Sequence, residues 1–165
     1  MIIIIMGVSG SGKTTIGQQL ASDLSWHYSD ADDFHSLENI SKMEKAIPLT
    51  DADRSNWLQL IALHIEKYII SNQNLVISCS ALRAQYRTKL LVNPDYIKFV
   101  YLKGTQALIA ARLNARQNHF MQASLLASQF EILEEPQNTL TIDITELPKE
   151  ISTTIQHSFG LLPKK

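Results

Sequence analysis

Gly7-Val8-Ser9-Gly10-Ser11-Gly12-Lys13-Thr14 has the spacing of a phosphate-gripping loop: a glycine, four residues, then Gly-Lys-Thr. Its glycines open backbone angles closed to other residues, so successive N–H groups can turn inward as an anion nest at a helix start. Lys13 puts a positive charge on the β- and γ-phosphates, and the Thr14 hydroxyl is a ligand for Mg²⁺. With Thr15 beside it, this stretch is expected to bind a nucleoside triphosphate and Mg²⁺.

Such a loop serves switches, transporters, motors and small-molecule kinases alike, and absences sort among them. No Asp-x-x-Gly follows the loop and no Asn-Lys-x-Asp occurs, so the usual elements of a guanine-nucleotide switch are missing. There is no Gly-Gly transporter signature, and the chain is too short for a motor. The run Leu75-Val76-Ile77-Ser78-Cys79-Ser80 ends in small polar residues, so a Walker-B aspartate is absent from its usual place. Acidic support is read instead from Asp30-Ala31-Asp32-Asp33-Phe34-His35. Alternate residues of an extended segment share a side, which puts Asp30 and Asp32 together. One would hold metal-bound water, with Asp30 and Thr14 the candidate metal ligands; the other would take the proton from an attacking hydroxyl. Asp33 is the capping or surface member; the alternative for the segment, set below the functional one, is a solvated turn whose aspartates cap a helix starting near Ser36.

All five arginines, Arg54, Arg83, Arg87, Arg112 and Arg116, lie between positions 54 and 116. Arg83 and Arg87 are four apart, as are Arg112 and Arg116, so each pair is expected to line one helix face. The first pair is placed to grip an anionic acceptor by bidentate contacts. The second precedes Gln117-Asn118-His119-Phe120, a polar stretch suited to a lid over roughly 116–125 that closes on the transferring phosphate. His35 and His119 fall in loops near these groups, whereas His27, His64 and His157 read as structural. Cys79 reads as a small apolar residue packed beneath the site. Trp57 and Tyr86 fit either core or acceptor pocket.

The elements that must position these residues follow from hydrophobic pattern. Apolar, β-branched runs at Ile2–Met6, Trp26–Ser29, Leu75–Ser78, Tyr96–Leu102 and Thr139–Asp143 alternate with helical patterns. Helices are expected at Thr14–Leu24, at Asp51–Ser71 opened by a Thr50/Asp53 capping box, and at Ala81–Val92. Others are expected at Thr105–Arg116, at Ala123–Leu133 and after Pro148. This alternation predicts a three-layer α/β/α fold around a five-stranded parallel sheet, with ligands beyond the carboxyl ends of its strands. The 165 residues, 45% hydrophobic and 19% charged, suit one domain over 1–165. Fifteen basic against sixteen acidic residues give a net charge of -1 and no field to hold a polyanion, so neither nucleic acid nor a membrane is an expected partner. A single cysteine fits a reducing, cytoplasmic setting, and no targeting or membrane segment is read. The tail after Phe159 is expected to fray.

With these groups in hand, the chain closely resembles the bacterial-type gluconokinase family. The matching islands run in order through nearly the whole chain: Gly7–Thr14; Asp30-Ala31-Asp32 with Phe34-His35; Asn39 and Lys42-Met43; Pro48 to Arg54 with Trp57-Leu58; Cys79-Ser80-Ala81-Leu82 with Tyr86-Arg87; Tyr101 to Gly104; Arg112-Leu113 with Arg116; His119-Phe120; and Ser128-Gln129-Phe130 with Leu133-Glu134 and Pro136. The resemblance implies ATP-dependent phosphorylation of D-gluconate to 6-phosphogluconate, a nucleoside-monophosphate-kinase-like fold with a small helical lid, and a homodimer. Carried onto this chain, it implies ATP held by Gly7, Val8, Ser9, Gly10, Ser11, Gly12, Lys13, Thr14, Thr15, Arg112 and Arg116. Gluconate would meet Asp32, His35, Arg54, Ser80, Arg83, Tyr86, Arg87 and His119, with Asp32, Lys13 and Arg116 catalytic. Two positions depart from the family pattern: Arg83 stands where lysine is usual, and Ala46 where glycine is usual. Kinases of other hydroxyl acceptors such as shikimate, and a nucleotide-binding regulator without transfer, are the alternatives.

Overall fold

The structure, a computed structural model, describes residues 1–115 and 123–161. Five parallel strands form one sheet in the order β2-β3-β1-β4-β5: β1 Ile2–Met6, β2 His27–Asp30, β3 Leu75–Ser78, β4 Ile97–Lys103 and β5 Leu140–Asp143. Central β1 pairs with β3 from Ile2↔Leu75 and with β4 from Ile2↔Ile97. Its four consecutive isoleucines are explained by burial on both faces. Ile3 and Ile5 join one core, with Ile16, Leu20, Ile109 and Ile155; Ile2, Ile4 and Met6 join the other, with Trp57, Leu58, Ile61 and Ile65.

Those partners come from helices on opposite faces. α1 Lys13–Leu24, α5 Gln106–Ala115 and α7 Pro148–Ser158 cover the first; α3 Asp51–Ile70 and α4 Ala84–Leu90 cover the second. α2 Leu37–Glu44 lies between β2 and α3 in sequence, and α6 Ala123–Ile132 between α5 and β5. The expected three-layer α/β/α arrangement and five-stranded parallel sheet are what the chain adopts. No described helix is long and apolar enough to cross a membrane.

Local signals hold where they are self-contained. Thr50 Oγ1 accepts the Asp53 N–H at 3.2 Å while Asp53 Oδ2 accepts the Thr50 N–H at 2.9 Å, completing the capping box of α3. Pro148 opens α7 as expected. Others shift. α4 begins at Ala84, because Ala81 sits at φ 43° and Arg83 is an extended N-cap at φ -96°, ψ 148°. Ser36 itself caps α2 by accepting the Asn39 N–H, so the aspartates before it are free of that task. Beyond Phe159 the Leu161 N–H returns to Gln156 O at 2.8 Å, tying Gly160 and Leu161 to α7 where fraying was expected; residues 162–165 lie outside the described part.

Ala46 follows α2 at φ 57°, a left-handed conformation that burdens any residue with a Cβ, which accounts for a family preference for glycine there. Ala46→Gly removes that strain but loosens the unfolded chain by about 0.4–1 kcal/mol, so the net gain is expected to be under about 1 kcal/mol. Thermal denaturation should show a midpoint about 1–3 °C higher, and a lower one would count against the strain.

Candidate functional site

The phosphate loop joins β1 to α1. Gly10 at φ 80° and Gly12 at φ 97° take conformations that L side chains rarely adopt, and Gly12 is the N-cap of α1. No acidic residue occupies the first turn of α1, so its N-terminal dipole is open to an anion. Lys13 Nζ folds back over the loop to donate to Val8 O at 3.0 Å. Burial lowers its pKa, while the negative groups around it, chiefly Asp32, pull the other way. The Ser11 hydroxyl is fully buried and has no hydrogen-bond partner among the described residues.

At the carboxyl end of β2 the two aspartates take separate places. The expected extended segment is replaced by a 3-10 turn over Ala31–Phe34, whose first N–H groups Asp30 caps by accepting from Asp32 N at 3.0 Å. Asp30 Oδ2 accepts from Thr14 Oγ1 at 3.0 Å and lies 3.2 Å from the Tyr28 hydroxyl, which also reaches Ser78 Oγ at 3.0 Å. Burial pushes the Tyr28 phenol up to about 12, so it stays a neutral donor. Asp32 is thrown forward instead. Its side chain is 77% accessible at the floor of an open cleft, yet the protein walls around it desolvate the carboxylate and raise its pKa. Lys13 opposes that rise; Asp30 and Asp33 add to it.

Asp32 and Lys13 line two adjoining hollows. One is the phosphate hollow, shared with Ser9, Gly10, Gly12, Thr14, Thr15 and Asp30. The other is a cleft of about 290 Å³ walled by His35, Arg54, Trp57, Ser80, Arg83, Leu125, Gln129 and Ile132. A group bound in either meets the same carboxylate and the same ammonium.

The cleft floor is built on Trp57. Its indole donates to Ala31 O at 2.7 Å, fixing the 3-10 turn, and His35 stacks on its face at 4.5 Å and 8°. Burial, with the Arg54 charge, drops the His35 pKa to about 4, so near neutrality the ring is uncharged and its 3.8 Å approach to Asp32 is no ion pair. Arg54 donates to Leu49 O and lies 5.6 Å over the Tyr86 ring. Asp51 collects the Tyr86 hydroxyl, Arg83 at 3.0 Å and Gln85 at 3.1 Å. That set, the Tyr86 bond first, holds its carboxyl below the usual range. Lys42 bonds Asp53 at 2.7 Å and Asn39 bonds Asp53 O at 2.9 Å, latching α2 to α3.

Two expectations change. Arg83 and Arg87 do not share a helix face: Arg83 precedes α4 and lines the cleft, while Arg87 folds back onto Ala81 O and Leu82 O at 2.9 and 3.1 Å. Arg87 thereby braces the loop after Ser80. Arg112 donates to Ile144 O at 2.6 Å in a separate hollow with Ser11, Gly12, Thr15 and Pro148, so it meets the loop from the side away from the cleft. Arg116 and His119, and most of the expected lid, lie outside the described residues. Cys79 is buried as expected, its thiol pushed up to about 12. His64 bonds Ser29 at 2.9 Å and His27 meets the Tyr68 ring edge, both structural.

Sequence reasoning assigned no role to Tyr28, Asp51 or Gln129. Asp51 and Gln129 sit inside the family islands, but only the fold shows what they touch.

The family model described as shikimate kinase matches residues 9–157. The chain is 43% identical to the gluconokinase of Arabidopsis thaliana, over 93% of this chain and 89% of that one. Its fold superposes on an unliganded sugar kinase from Janibacter sp. HTCC2649 with a TM-score of 0.92 at 36% identity, covering 98% and 95% of the two chains. A gluconokinase from Sinorhizobium meliloti 1021 gives 0.83 at 36% identity, covering 98% and 97%.

Proposed function

The chain belongs to the gluconokinase family, within the wider group that the shikimate kinase model describes, and on that premise we propose that it transfers the γ-phosphoryl group of ATP to D-gluconate. The observation that carries this reading is the junction of two hollows at Asp32 and Lys13, one shaped by the phosphate loop and one walled by arginines, polar groups and apolar side chains.

In this reading Gly7 to Thr15 cradle the triphosphate, and Arg112 with Pro148 flanks the nucleotide on the far side of the loop. Arg54 and Arg83 meet the gluconate carboxylate. Neutral His35 and Ser80 bond hydroxyls, because an uncharged ring both donates and accepts. Asp32 accepts the proton of the terminal hydroxyl as its oxygen bonds to the γ-phosphorus and the bond to the bridging oxygen breaks, releasing ADP. Lys13 stays on the charge that spreads over the transferring group, where Arg116 would join it.

Thr14 and Asp30 offer hard oxygen donors 3.0 Å apart beside the loop, a pair that fits Mg²⁺, and no cluster of three or more His, Cys, Asp or Glu suits another metal among the described residues. Bound there, Mg²⁺ would neutralise phosphate charge. We also assign the protein to the cytoplasm as a homodimer; exposed Leu60, Leu63 and Ile70 on α3 are apolar surface that a second copy would cover.

An acceptor panel in a coupled ADP-release assay tests the reading. Gluconate is expected to raise ADP release at least about a hundredfold over ATP alone, since an oriented acceptor removes much of the entropic barrier. Turnover with shikimate and none with gluconate would transfer the reading to the runner-up kinase, and ATP binding without acceptor-dependent ADP would mark a regulator.

A further inference from the structure

Gln129 and Ser9 are 120 residues apart and meet twice. The Ser9 N–H donates to Gln129 Oε1 at 2.7 Å, and Gln129 Nε2 donates to Ser9 Oγ at 3.1 Å. A side-chain amide engaged at both ends on one residue fixes that residue in place and in orientation. Ser9 lines both the phosphate hollow and the acceptor cleft. Neighbouring Ser11 N–H is held by Val8 O at 3.2 Å, so the loop is shaped from within at one residue and from α6 at another.

The same helix faces the acceptor. Leu125 and Ile132 wall the cleft on either side of Gln129. Just past its end, Glu134 accepts the Ala84 N–H at 2.6 Å and donates its own N–H to Leu82 O at 2.9 Å, capping α4 beside Arg83. α6 therefore runs as a strut from the phosphate loop to the acceptor side. Apolar packing alone would seat it; a polar clamp on the loop is an addition with a directional effect.

We propose that Gln129 is a positioning residue for phosphoryl transfer: acting through Ser9, it holds the phosphate loop in shape, and through α6 it links nucleotide occupancy to the acceptor cleft. The link to the cleft rests on gluconate being the acceptor; the clamp on the loop does not.

Calorimetry with a non-hydrolysable ATP analogue, with and without saturating gluconate, tests this on wild type, Gln129→Leu, Ser9→Ala and the double variant. Gln129→Leu is expected to raise the analogue Kd about five- to tenfold, and Ser9→Ala, which cuts only the Nε2–Oγ link, about two- to threefold. The double variant should be no weaker than Gln129→Leu alone, because both act on one contact. The gain in analogue affinity on adding gluconate should shrink at least about threefold in Gln129→Leu. A folded Gln129→Leu with unchanged analogue Kd, even if less heat-stable, overturns the proposal, as does an additive double variant. Should Gln129→Leu not fold, Ser9→Ala decides alone, and an unchanged Kd there overturns it equally. A wild type that binds the analogue but ignores gluconate removes gluconate as acceptor, and the clamp is then judged on the analogue alone.

Discussion

Asp32→Asn should cut kcat about a thousandfold, within the range that a positioned general base contributes, while the KM for gluconate moves only a few-fold. The substitution keeps the size of the side chain and removes its negative charge together with the ability to take a proton. Folding should not suffer. Asp32 is open to the cleft, its basic contact among the described residues is a neutral imidazole at 3.8 Å, and its pKa is raised. The sign follows from that rise: a carboxyl whose folded pKa exceeds its unfolded one disfavours the folded state above that pKa, so at neutral pH a neutral amide leaves the melting temperature unchanged or higher. The same rise sets the acid limb of wild-type kcat/KM above the ordinary carboxylate range, and activity falls as pH drops through it. The residual rate of Asp32→Asn should lack that limb. Near-normal turnover in the variant, with gluconate still bound, would remove Asp32 from the role of base.

What the sequence could and could not disclose about this residue follows from distance along the chain. β1, the phosphate loop and the capping box of α3 are written in contiguous residues and form as read. Asp30 and Asp32 both reach the phosphate hollow, but not through the alternation of an extended segment. A period of two assumes an extended backbone, and here Asp30 folds its carboxylate onto the Asp32 N–H, a local bond that competes with the strand and turns the chain. The Arg83/Arg87 pair failed for a related reason: spacing by four means a shared face only inside a helix, and the left-handed Ala81 delays α4 past Arg83. Gln129 lies in a family island, but nothing in the residues around it names its partner. Its partner lies across the molecule, and only the sheet order that folds the chain after α5 back across the loop makes the pair.

Lys13→Met should lower kcat/KM for ATP by about a thousandfold or more, the upper range for losing one preorganised group at a developing charge. Methionine keeps an unbranched stem in the same space, so the loss is electrostatic. The larger consequence lies on Asp32. Among the described residues Lys13 is the one neighbour that lowers the Asp32 pKa, whereas burial, Asp30 and Asp33 all raise it. Without the ammonium, Asp32 is left to those three, and the acid limb of the residual kcat/KM must move to higher pH. The two residues therefore act as a unit, and Asp32→Asn made in Lys13→Met should cost far less than its thousandfold in wild type, because the base it removes is already weakened by protonation and misplaced charge. Lys13→Arg separates charge from shape. It restores a cation, yet a planar fork cannot occupy the point at which Nζ turns in toward Val8 O, so only part of the rate should return, while the acid limb moves back toward its wild-type position. If the limb stayed fixed across Lys13→Met and Lys13→Arg, the proton acceptor would be a group that does not sense Lys13, and Asp32 would be excluded on electrostatic grounds alone.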